Sequence, residues 1–292
     1  MIRPVSRLDD VALEAIADLE RRVVAADGGR LKLEWGVLRS RSGRYVEDLL
    51  WWDGPRLLGF LGIYAFGAPT VELAGMVDPR VRRRGIATAL LEAALPLCQE
   101  RGYTKTLLVT PRTPTAARDL ALGRGGRLDH SEFALQLTGA PTDGPVDPRI
   151  SLRPMTRADD AVVHSLLEIG FGWSRPETAD EAAAELERAR TVVIEFESAP
   201  VGSLRRQRDG DAVGIYGFVV HPDHQGRGIG RDVLRRVCRQ ARDEGVTRIH
   251  LEVAVDNDRA LGLYTSLGFA PVATEDYYAL PNPNPTLTAT DS

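Results

Sequence analysis

Two residues near the C-terminus, Tyr264 and Glu252, have side chains suited to proton transfer. They lie twelve positions apart in a segment where a short apolar run is followed by a helical pattern. A phenol with a pKa of about 10 stays protonated at neutral pH and can give its proton to a thiolate with a pKa of about 8.5. A carboxylate with a pKa of about 4.3 accepts a proton from an ammonium group only when its surroundings help. The pair therefore indicates acid–base chemistry. The alternatives are a half-buried aromatic residue and a solvent-facing glutamate.

A second chemical feature is a turn rich in glycine and arginine between an apolar strand and a helix. Backbone N–H groups in the first turn of a helix have no partner within the helix, and the helix dipole adds positive charge there. Glycines let an anion approach these N–H groups, and arginines add full charges. The turn predicts a diphosphate site, unless it serves only the fold. Its candidate residues are Gln225, Gly226, Arg227, Gly228, Ile229, Gly230 and Arg231.

The chain repeats itself, and the repeat predicts two domains. Val77-Asp-Pro with Arg84-Gly-Ile returns 143 positions later as Val220-His-Pro with Arg227-Gly-Ile. Each copy is long enough to bury its own core, and a length of 292 residues favours two domains. A segment rich in proline, glycine and threonine separates the copies. We predict domains at 1–137 and 150–280, a linker at 138–149 and a flexible tail at 281–292.

The first copy keeps the turn but lacks the residues for proton transfer. With the same offset, Glu252 corresponds to Val109 and Tyr264 to Ala121. The first copy is therefore expected to bind an anion without turnover, or only to support the second copy. Its candidate anion-binding residues are Val77, Arg82, Arg83, Arg84, Gly85, Ile86, Ala87 and Thr88.

Apolar periodicity predicts the elements that position these residues. In each copy a short strand leads into a helix, and further strands follow, one of which ends at a proline. Helices are predicted at Ile86–Arg101 and Ile229–Glu244, each ending near a glycine. Strands are predicted at Tyr45–Trp52, Arg56–Tyr64, Val71–Val77, Thr106–Thr110, Thr191–Glu197, Val201–Arg206, Ala212–Val220 and Arg248–Val255.

The turn and the segment around Tyr264 together resemble the GNAT superfamily of acyl-CoA-dependent N-acyltransferases. Both turns fit its signature Gln/Arg-x-x-Gly-x-Gly/Ala, whereas neither a dinucleotide fingerprint nor a P-loop fits. Residues Asn257 to Phe269 resemble its Asn-x-x-Ala and Leu-Tyr-x-x-x-Gly-Phe motifs. The resemblance implies an α/β fold of the α+β type, with two tandem GNAT domains, each a mixed, mainly antiparallel sheet flanked by helices.

The same resemblance implies acetyl-CoA as co-substrate and suggests roles for individual residues. The turn amides would hold the pyrophosphate of coenzyme A, Asn257 would belong to the same binding site, and Tyr264 would point at the thioester sulfur. Glu252 stands where N-terminal acetyltransferases of the ribosomal-protein type carry a glutamate that acts as base. The backbone groups that would bind the pantetheine arm and the oxyanion belong to Val219, Val220 and His221.

The chain departs from the GNAT pattern on the fourth strand of each copy. Many GNAT enzymes carry a glutamate six or eight residues before the proline, where the second copy has Tyr216 and Gly214. The first copy has Glu72 seven residues before Pro79, which would lie on the wrong face of an unbulged strand. The identity of the base therefore stays open, with a bound water and the histidines beside the turn as alternatives.

The expected function is transfer of an acetyl group from acetyl-CoA to a primary amine of a small molecule, with catalysis in the second copy. In architecture, the arginine-rich duplicated chain resembles the mycothiol synthases. A peptide N-terminal amine is the alternative acceptor. A CoA-binding regulatory module with little turnover and a folding scaffold are alternatives from other classes. The opening helices and loops, such as 171–176 and 31–44, would choose the acceptor.

Composition limits the partners and the location. A net charge of −4 argues against nonspecific nucleic-acid binding, and no apolar run approaches the length of a membrane span. The N-terminal residues lack the apolar region of a signal peptide, so a cytoplasmic location is expected. Cys98 and Cys238 are expected to be buried free thiols. No set of metal ligands is evident, and a monomer or homodimer is expected.

Overall fold

The computed structural model describes residues 1–67, 69–173 and 181–281. The chain divides into two compact units. The first unit contains residues 1–131 and the C-terminal stretch from Ala273, and the second unit contains residues 132–272. Each unit has its own run of paired strands and its own apolar cores.

Strands and helices alternate along both units. The strands are β1 (Ile2–Val5), β2 (Asp48–Asp53), β3 (Arg56–Gly67), β4 (Thr70–Val77), β5 (Lys105–Pro111), β6 (Arg127–Leu137), β7 (Ile150–Pro154), β8 (Thr191–Phe196), β9 (Ala199–Asp209), β10 (Ala212–Val220), β11 (Arg248–Ala254) and β12 (Phe269–Leu280). The α-helices are α1 (Asp10–Asp27), α2 (Trp35–Arg39), α3 (Ile86–Glu100), α4 (Ala116–Gly123), α5 (Asp160–Phe171), α6 (Glu181–Arg190), α7 (Ile229–Asp243) and α8 (Asp258–Thr265).

In both units the strand pairing is mixed and mainly antiparallel, as expected. In the first unit the strand order is β1-β2-β3-β4-β5-β12, and only the β4–β5 pair is parallel among these described strands. In the second unit the order is β6-β11-β10-β9-β8-β7, with β10–β11 as the parallel pair among the strands described there. The predicted fold class is confirmed.

Helices cover both faces of each sheet because each helix carries an apolar stripe at helical spacing. On α7 the buried positions include Ile229, Val233, Val237 and Ala241, three or four residues apart. They pack with Ile215 and the other residues of β10 and β11 that face the same way. Helix α5 packs on β9 and β10, where its Gly170 lies against Val219. In the first unit, α3 and α1 form the corresponding two cores.

The parallel strands of each unit separate towards their C-terminal ends. Parallel pairing of β10 with β11 ends at Ile215 and Leu251, although β10 continues to Val220. In the first unit, pairing of β4 with β5 ends at Leu73 and Leu108. Each unit therefore has a gap between its two parallel strands, directly before the glycine-containing turn.

The last described strand begins in the second unit and ends in the first unit. Strand β12 starts in the second unit, but its residues 275–280 pair with β5 of the first unit. Strand β6 starts in the first unit, and its residues 132–136 pair with β11 of the second unit. Asp276 fixes the end of β12 within the first unit, since its carboxylate accepts hydrogen bonds from Arg112 and Ser131 at 2.7 Å.

The predicted elements agree closely with the structure around the turns. The predicted helices at Ile86 and Ile229 begin at those residues and end within one residue of the prediction. Cys98 and Cys238 are free and buried, as expected. Burial raises the pKa of the Cys98 thiol to about 11 and that of the Cys238 thiol to about 12. None of the described helices combines the length and hydropathy needed to cross a membrane.

Candidate active site

The turn before α7 has a backbone that favours glycine at two positions. Gly226 has a φ of 78° and Gly228 a φ of 82°, both in the left-handed region that side chains with a Cβ avoid. Gly228 is the N-cap of α7, and no side chain of the described residues caps that end of the helix. The first N–H groups of α7 therefore lack a side-chain acceptor, as an anion site at a helix N-terminus requires.

Gln225 fixes this turn to the end of β10. Its Nε2 donates to the carbonyl oxygen of Val220 at 2.8 Å, and its Oε1 accepts from Arg259 Nη1 of α8 at 2.8 Å. The side chain thus joins β10, the turn and α8. The geometry gives Gln225 a positioning part in the turn, a contribution that the sequence motif alone does not describe.

Two arginines beside the turn are unpaired among the described residues. Arg227 and Arg231 are exposed, and neither forms an ion pair or hydrogen bond with a described side chain. Most other arginines of the described chain are in salt bridges, such as Arg236 with Asp232 of the same helix. Two solvent-facing guanidinium groups at the N-terminus of α7 produce the positive potential that a diphosphate would need.

Gly230 lets three elements meet at the base of the gap. A Cβ at this position would lie 3.3 Å from Leu263 of α8 and 3.5 Å from Phe218 of β10. A larger side chain would therefore push α8 or Phe218 away from the first turn of α7. The third glycine of the motif thus also has a packing role.

The backbone of Val220 presents a donor to the gap. The N–H of His221 donates to the carbonyl of Val201 on β9 at 2.8 Å. Successive residues of an antiparallel strand direct their N–H groups to opposite edges, so the N–H of Val220 points away from β9 and towards the gap. The His221 side chain lies against the glycine-rich turn, because its Nδ1 accepts a hydrogen bond from Asp223 N at 3.3 Å.

Tyr264 lies on α8 and is almost completely buried. Its side chain belongs to the core between α7 and the sheet, with its ring 6.1 Å from that of Phe269. Burial raises the pKa of its phenol to about 12. Within the described part of the chain, the hydroxyl has no hydrogen-bond partner. A protonated phenol with an uncommitted O–H is the state that a general acid requires.

Glu252 lies on the other face of β11. Leu251 and Val253 point into the α7 core, so Glu252 and His250 point to the opposite, α5 face. On that face, Tyr216 Oη of β10 is 3.5 Å from His250 Nε2. From the sequence, Tyr216 is a departure from the GNAT pattern, and His250 has no predicted role. The signal that could have found the pair is Gly214, which leaves room for the Tyr216 ring.

Asn257 serves as the N-cap of α8. Its Oδ1 accepts from Ala260 N at 3.0 Å, which satisfies one of the first N–H groups of the helix. This cap fixes where α8 begins and hence where Tyr264 lies. The structure therefore shows Asn257 as a capping residue that positions the helix carrying Tyr264.

The first unit forms the same turn with different side chains. Arg83 has a φ of 63° and Gly85 a φ of 81°. Arg82 donates to the carbonyl of Val77 at 3.3 Å and forms a bidentate salt bridge with Asp27 of α1, at 2.8 and 2.6 Å. Exposed Arg83 and its neighbour Arg84 have no partner among the described residues.

A large cavity opens beside this turn in the first unit. Its volume is about 750 Å³, a size that suits a small-molecule ligand. Gly75, Met76 and Val77 of β4 line one side, and α4 lines another. The other predicted residues of the turn, except Arg84, line it as well, namely Arg82, Arg83, Gly85, Ile86, Ala87 and Thr88.

Helix α4 of the first unit has no tyrosine at the position equivalent to Tyr264. Ala121 occupies the position of Tyr264 and is completely buried on α4. Glu72 lies on the α1 face together with Ala74 and Met76, and Lys32 is 3.5 Å from its carboxylate. The expectation that Glu72 lies on the wrong face is therefore wrong.

The different positions of the bulge in the two units explain why the expectation for Glu72 is wrong. In the second unit the β9–β10 register shifts between Tyr216 and Val219, where Gly217 has a φ of 56°. In the first unit the shift in the β3–β4 pair lies near the hairpin, beyond Tyr64. The side chains of the last seven residues of β4 therefore alternate between the two faces without interruption. As a result, Glu72 lies on the α1 face although it is seven residues before its proline, whereas Tyr216 lies on the corresponding α5 face six residues before its proline.

Comparison with known proteins agrees with this architecture. The model of the acetyltransferase (GNAT) family matches residues 12–123 and 161–269 of the chain. The chain therefore belongs to the GNAT family of acetyltransferases and contains that domain twice. Among the described residues, no group of three histidine, cysteine or acidic side chains could hold a metal ion.

Known relatives match the chain over nearly its whole length. Mycothiol acetyltransferases from Thermomonospora curvata and Rhodococcus opacus are each 28% identical to the chain, over 95% and 94% of it and 96% of each relative. A GCN5-related N-acetyltransferase from Sphaerobacter thermophilus has a similar structure, with a TM-score of 0.76, 19% identity and coverage of 99% of this chain and 98% of that one. A tandem GNAT protein from the clavulanic acid biosynthesis pathway gives a TM-score of 0.66, 20% identity and coverage of 96% and 97%.

Proposed function

We propose that the second unit transfers an acetyl group from acetyl-CoA to a primary amine of a small molecule. The observation that carries this proposal is that one unit contains both a buried Tyr264 phenol in the core under α7 and a gap in the sheet that ends in a turn rich in backbone donors. GNAT enzymes share this chemistry, and relatives that match nearly the whole chain are called mycothiol acetyltransferases. Those names favour a small-molecule acceptor over a peptide.

Donor binding would use the turn and the end of β10. The N–H groups from Gly226 to Gly230 would hold the pyrophosphate, and Arg227 and Arg231 would add charge. The N–H of Val220 would bind the pantetheine arm or the developing oxyanion, since it points into the gap. Gln225 would hold the turn in register with β10.

Proton transfer would complete the reaction. The amine attacks the thioester carbonyl, the C–S bond breaks, and the thiolate takes the proton of Tyr264. A phenol with its pKa raised to about 12 stays protonated at every physiological pH, so the acid is always loaded. Glu252 faces the α5 side of the sheet, whereas Tyr264 lies on the α7 side. A carboxylate on the α5 side attracts an ammonium group, so Glu252 is a candidate to receive the amine's proton.

The first unit would support the second without catalysis. Its turn and its cavity of about 750 Å³ have room for a ligand, but Ala121 cannot give a proton to a thiolate. We therefore assign the chemistry to the second unit.

The direct test measures acetylated product by mass spectrometry after incubation of the protein with acetyl-CoA and a panel of amines, peptides and sugar amines. Tyr264→Phe should lower kcat roughly 100-fold or more, because it removes only the acid, while the KM for acetyl-CoA stays the same. Tyr45→Phe, an exposed tyrosine of the first unit, is the matched control. Equal rates in wild type and Tyr264→Phe would remove Tyr264 from the mechanism. Saturable acetyl-CoA binding without product would favour the regulatory module.

A further inference from the structure

The contact between Tyr216 and His250 joins the two strands that separate to form the gap. Tyr216 Oη lies 3.5 Å from His250 Nε2, and the two rings meet edge to face with centroids 6.3 Å apart. A distance of 3.5 Å is long for a hydrogen bond, but catalytic hydrogen bonds are often long before substrate binds. The contact couples a phenol to an imidazole.

Gly214 leaves room for the Tyr216 ring in this orientation. Gly214 lies directly opposite His250 in the β10–β11 register. A Cβ on Gly214 would lie 2.4 Å from Cε2 and 2.6 Å from Oη of Tyr216, so the ring lies flat over the glycine. The missing side chain at 214 therefore directs the hydroxyl back along the strand towards His250. Gly214 is a positioning residue for this pair.

The pair lies at the point where the sheet opens. Pairing of the strands ends at Ile215 and Leu251, so Tyr216 and Glu252 are the first residues on either side of the gap. Both face the α5 side, and Tyr264 belongs to the core on the α7 side. An amine that reaches a thioester in the gap from the α5 side would pass between Tyr216 and Glu252.

The charges on this face suit a proton acceptor at His250. Arg205 of β9 lies over the Tyr216 ring, 5.8 Å from its centroid, and is itself paired with Glu187 of α6 at 3.2 Å. Glu252 shares the strand and face of His250, and Glu132 of β6 lies opposite Ala254 on the same face. Helix α5 presents Leu167 to the neighbouring Gly217. The carboxylates can stabilise the positive charge that His250 gains when it accepts a proton.

We propose that Tyr216 and His250 form the proton relay that deprotonates the acceptor amine. This inference rests on the proposed function. The ammonium gives a proton to Tyr216 Oη while the Tyr216 hydroxyl proton passes to His250 Nε2. The free amine then forms the C–N bond, the C–S bond breaks, and the thiolate takes the proton of Tyr264. The second proton lost by the nitrogen restores Tyr264 through solvent, and His250 releases its proton to solvent. Glu252 binds the ammonium before this step.

A relay explains why the second copy works without a glutamate on its fourth strand. An imidazole with an ordinary pKa of about 6.5 is a stronger base than a carboxylate of about 4.3 and is still unprotonated at neutral pH. Tyr216 places the hydroxyl on the strand where many GNAT enzymes carry the glutamate, and His250 supplies the basicity.

The test is the pH profile of kcat/KM in four variants with acetyl-CoA and an amine that the wild type acetylates. Tyr216→Phe and His250→Gln should each lower kcat at neutral pH by about 10- to 100-fold and remove the acidic limb. The double variant should lose no more than either single variant, because both substitutions break one relay. Gly214→Ala should reproduce part of the loss by displacing the ring. The KM for acetyl-CoA should stay the same in all four.

Two controls make the outcome decisive. His130→Gln removes a histidine that stacks on Tyr277 in the first unit with centroids 4.1 Å apart, and it should leave the profile unchanged. Glu252→Gln should raise the acceptor KM more than it lowers kcat. If Tyr216→Phe and His250→Gln keep the wild-type profile while Glu252→Gln loses the acidic limb, the base is Glu252 and the relay is wrong. If the wild type acetylates no amine, the proposed function itself fails.

Discussion

The two units of the molecule have the same turn but different side chains behind it. The second left-handed position of the turn is a glycine in both, with φ of 81° at Gly85 and 82° at Gly228, while the first is Arg83 in one unit and Gly226 in the other. In both units the first residue of the motif donates to the carbonyl at the end of the strand. The turn therefore belongs to the fold as well as to the proposed donor site, and its presence does not distinguish a catalytic unit from a supporting one.

The two units differ in the helix that follows the second parallel strand. The second unit has a buried phenol at Tyr264, and the first unit has Ala121. They differ again on the face towards the opening helix. In the first unit the segment after α1 is fixed there by Arg30, 2.9 Å from the buried Glu275, and by Lys32 beside Glu72. The first unit thus keeps a cavity for a ligand and fills the side from which an amine would arrive.

The largest effect is expected from a charge placed in one turn and then in the other. Gly228→Asp and Gly85→Asp are a matched pair, because both glycines have nearly the same φ and nothing within 4 Å of an added Cβ. A carboxylate beside the bound pyrophosphate should raise the acetyl-CoA KM about 10- to 100-fold in Gly228→Asp. Gly85→Asp should leave the KM and kcat of acetyl transfer unchanged. Steady-state kinetics of both variants measure these changes. A larger loss of kcat/KM for acetyl-CoA in Gly85→Asp than in Gly228→Asp would contradict the assignment of catalysis to the second unit.

A second pair of substitutions compares the helices that differ. Tyr264→Phe should change the free energy of unfolding by less than about 1 kcal/mol, because the hydroxyl has no partner among the described residues. Ala121→Tyr should destabilise the protein by about 1–3 kcal/mol, since Ala121 is completely buried. It should also fail to create activity in a protein that already carries Tyr264→Phe. Urea denaturation gives both energies, and restored turnover in the double variant would show that the first unit lacks only the acid.

The smallest effect is a predicted absence of change with pH. Burial raises the pKa of Tyr264 to about 12, so its phenol keeps its proton as the pH rises from 7 to 10. The kcat of the wild type should therefore show no alkaline fall from this group in that range. A fall in kcat with a midpoint near the ordinary tyrosine value of about 10 would show that Tyr264 is more exposed to solvent than the structure indicates.

The sequence predicts the local features of this protein better than its long-range pairings. The turn, the start of α7 at Ile229 and the whole of β10 follow from glycine positions and apolar periodicity, which act over a few residues. The exchange of β12 between units depends on contacts such as Asp276 with Arg112, far apart in the sequence, and no local pattern reveals it. The bulge at Gly217 likewise depends on the neighbouring strand.

Only the part of the candidate site that depends on local patterns can be predicted from the sequence, for the same reason. The motif indicates Tyr264 and the turn because their spacing is regular along the chain. The Tyr216–His250 contact crosses two strands and depends on Gly214, so it becomes visible only when the register of β10 and β11 is known. Gln225 and Asn257 stand in recognisable motif positions, but their hydrogen bonds show that they also hold the turn and α8 in place.

The most direct test is a crystal structure of the protein with bound acetyl-CoA. We expect a pyrophosphate on the N–H groups of residues 226–230, a pantetheine arm in the gap between β10 and β11, and a thioester sulfur within hydrogen-bond reach of Tyr264 Oη. A sulfur directed away from Tyr264, or acetyl-CoA bound at the turn of the first unit and absent from that of the second, would contradict it.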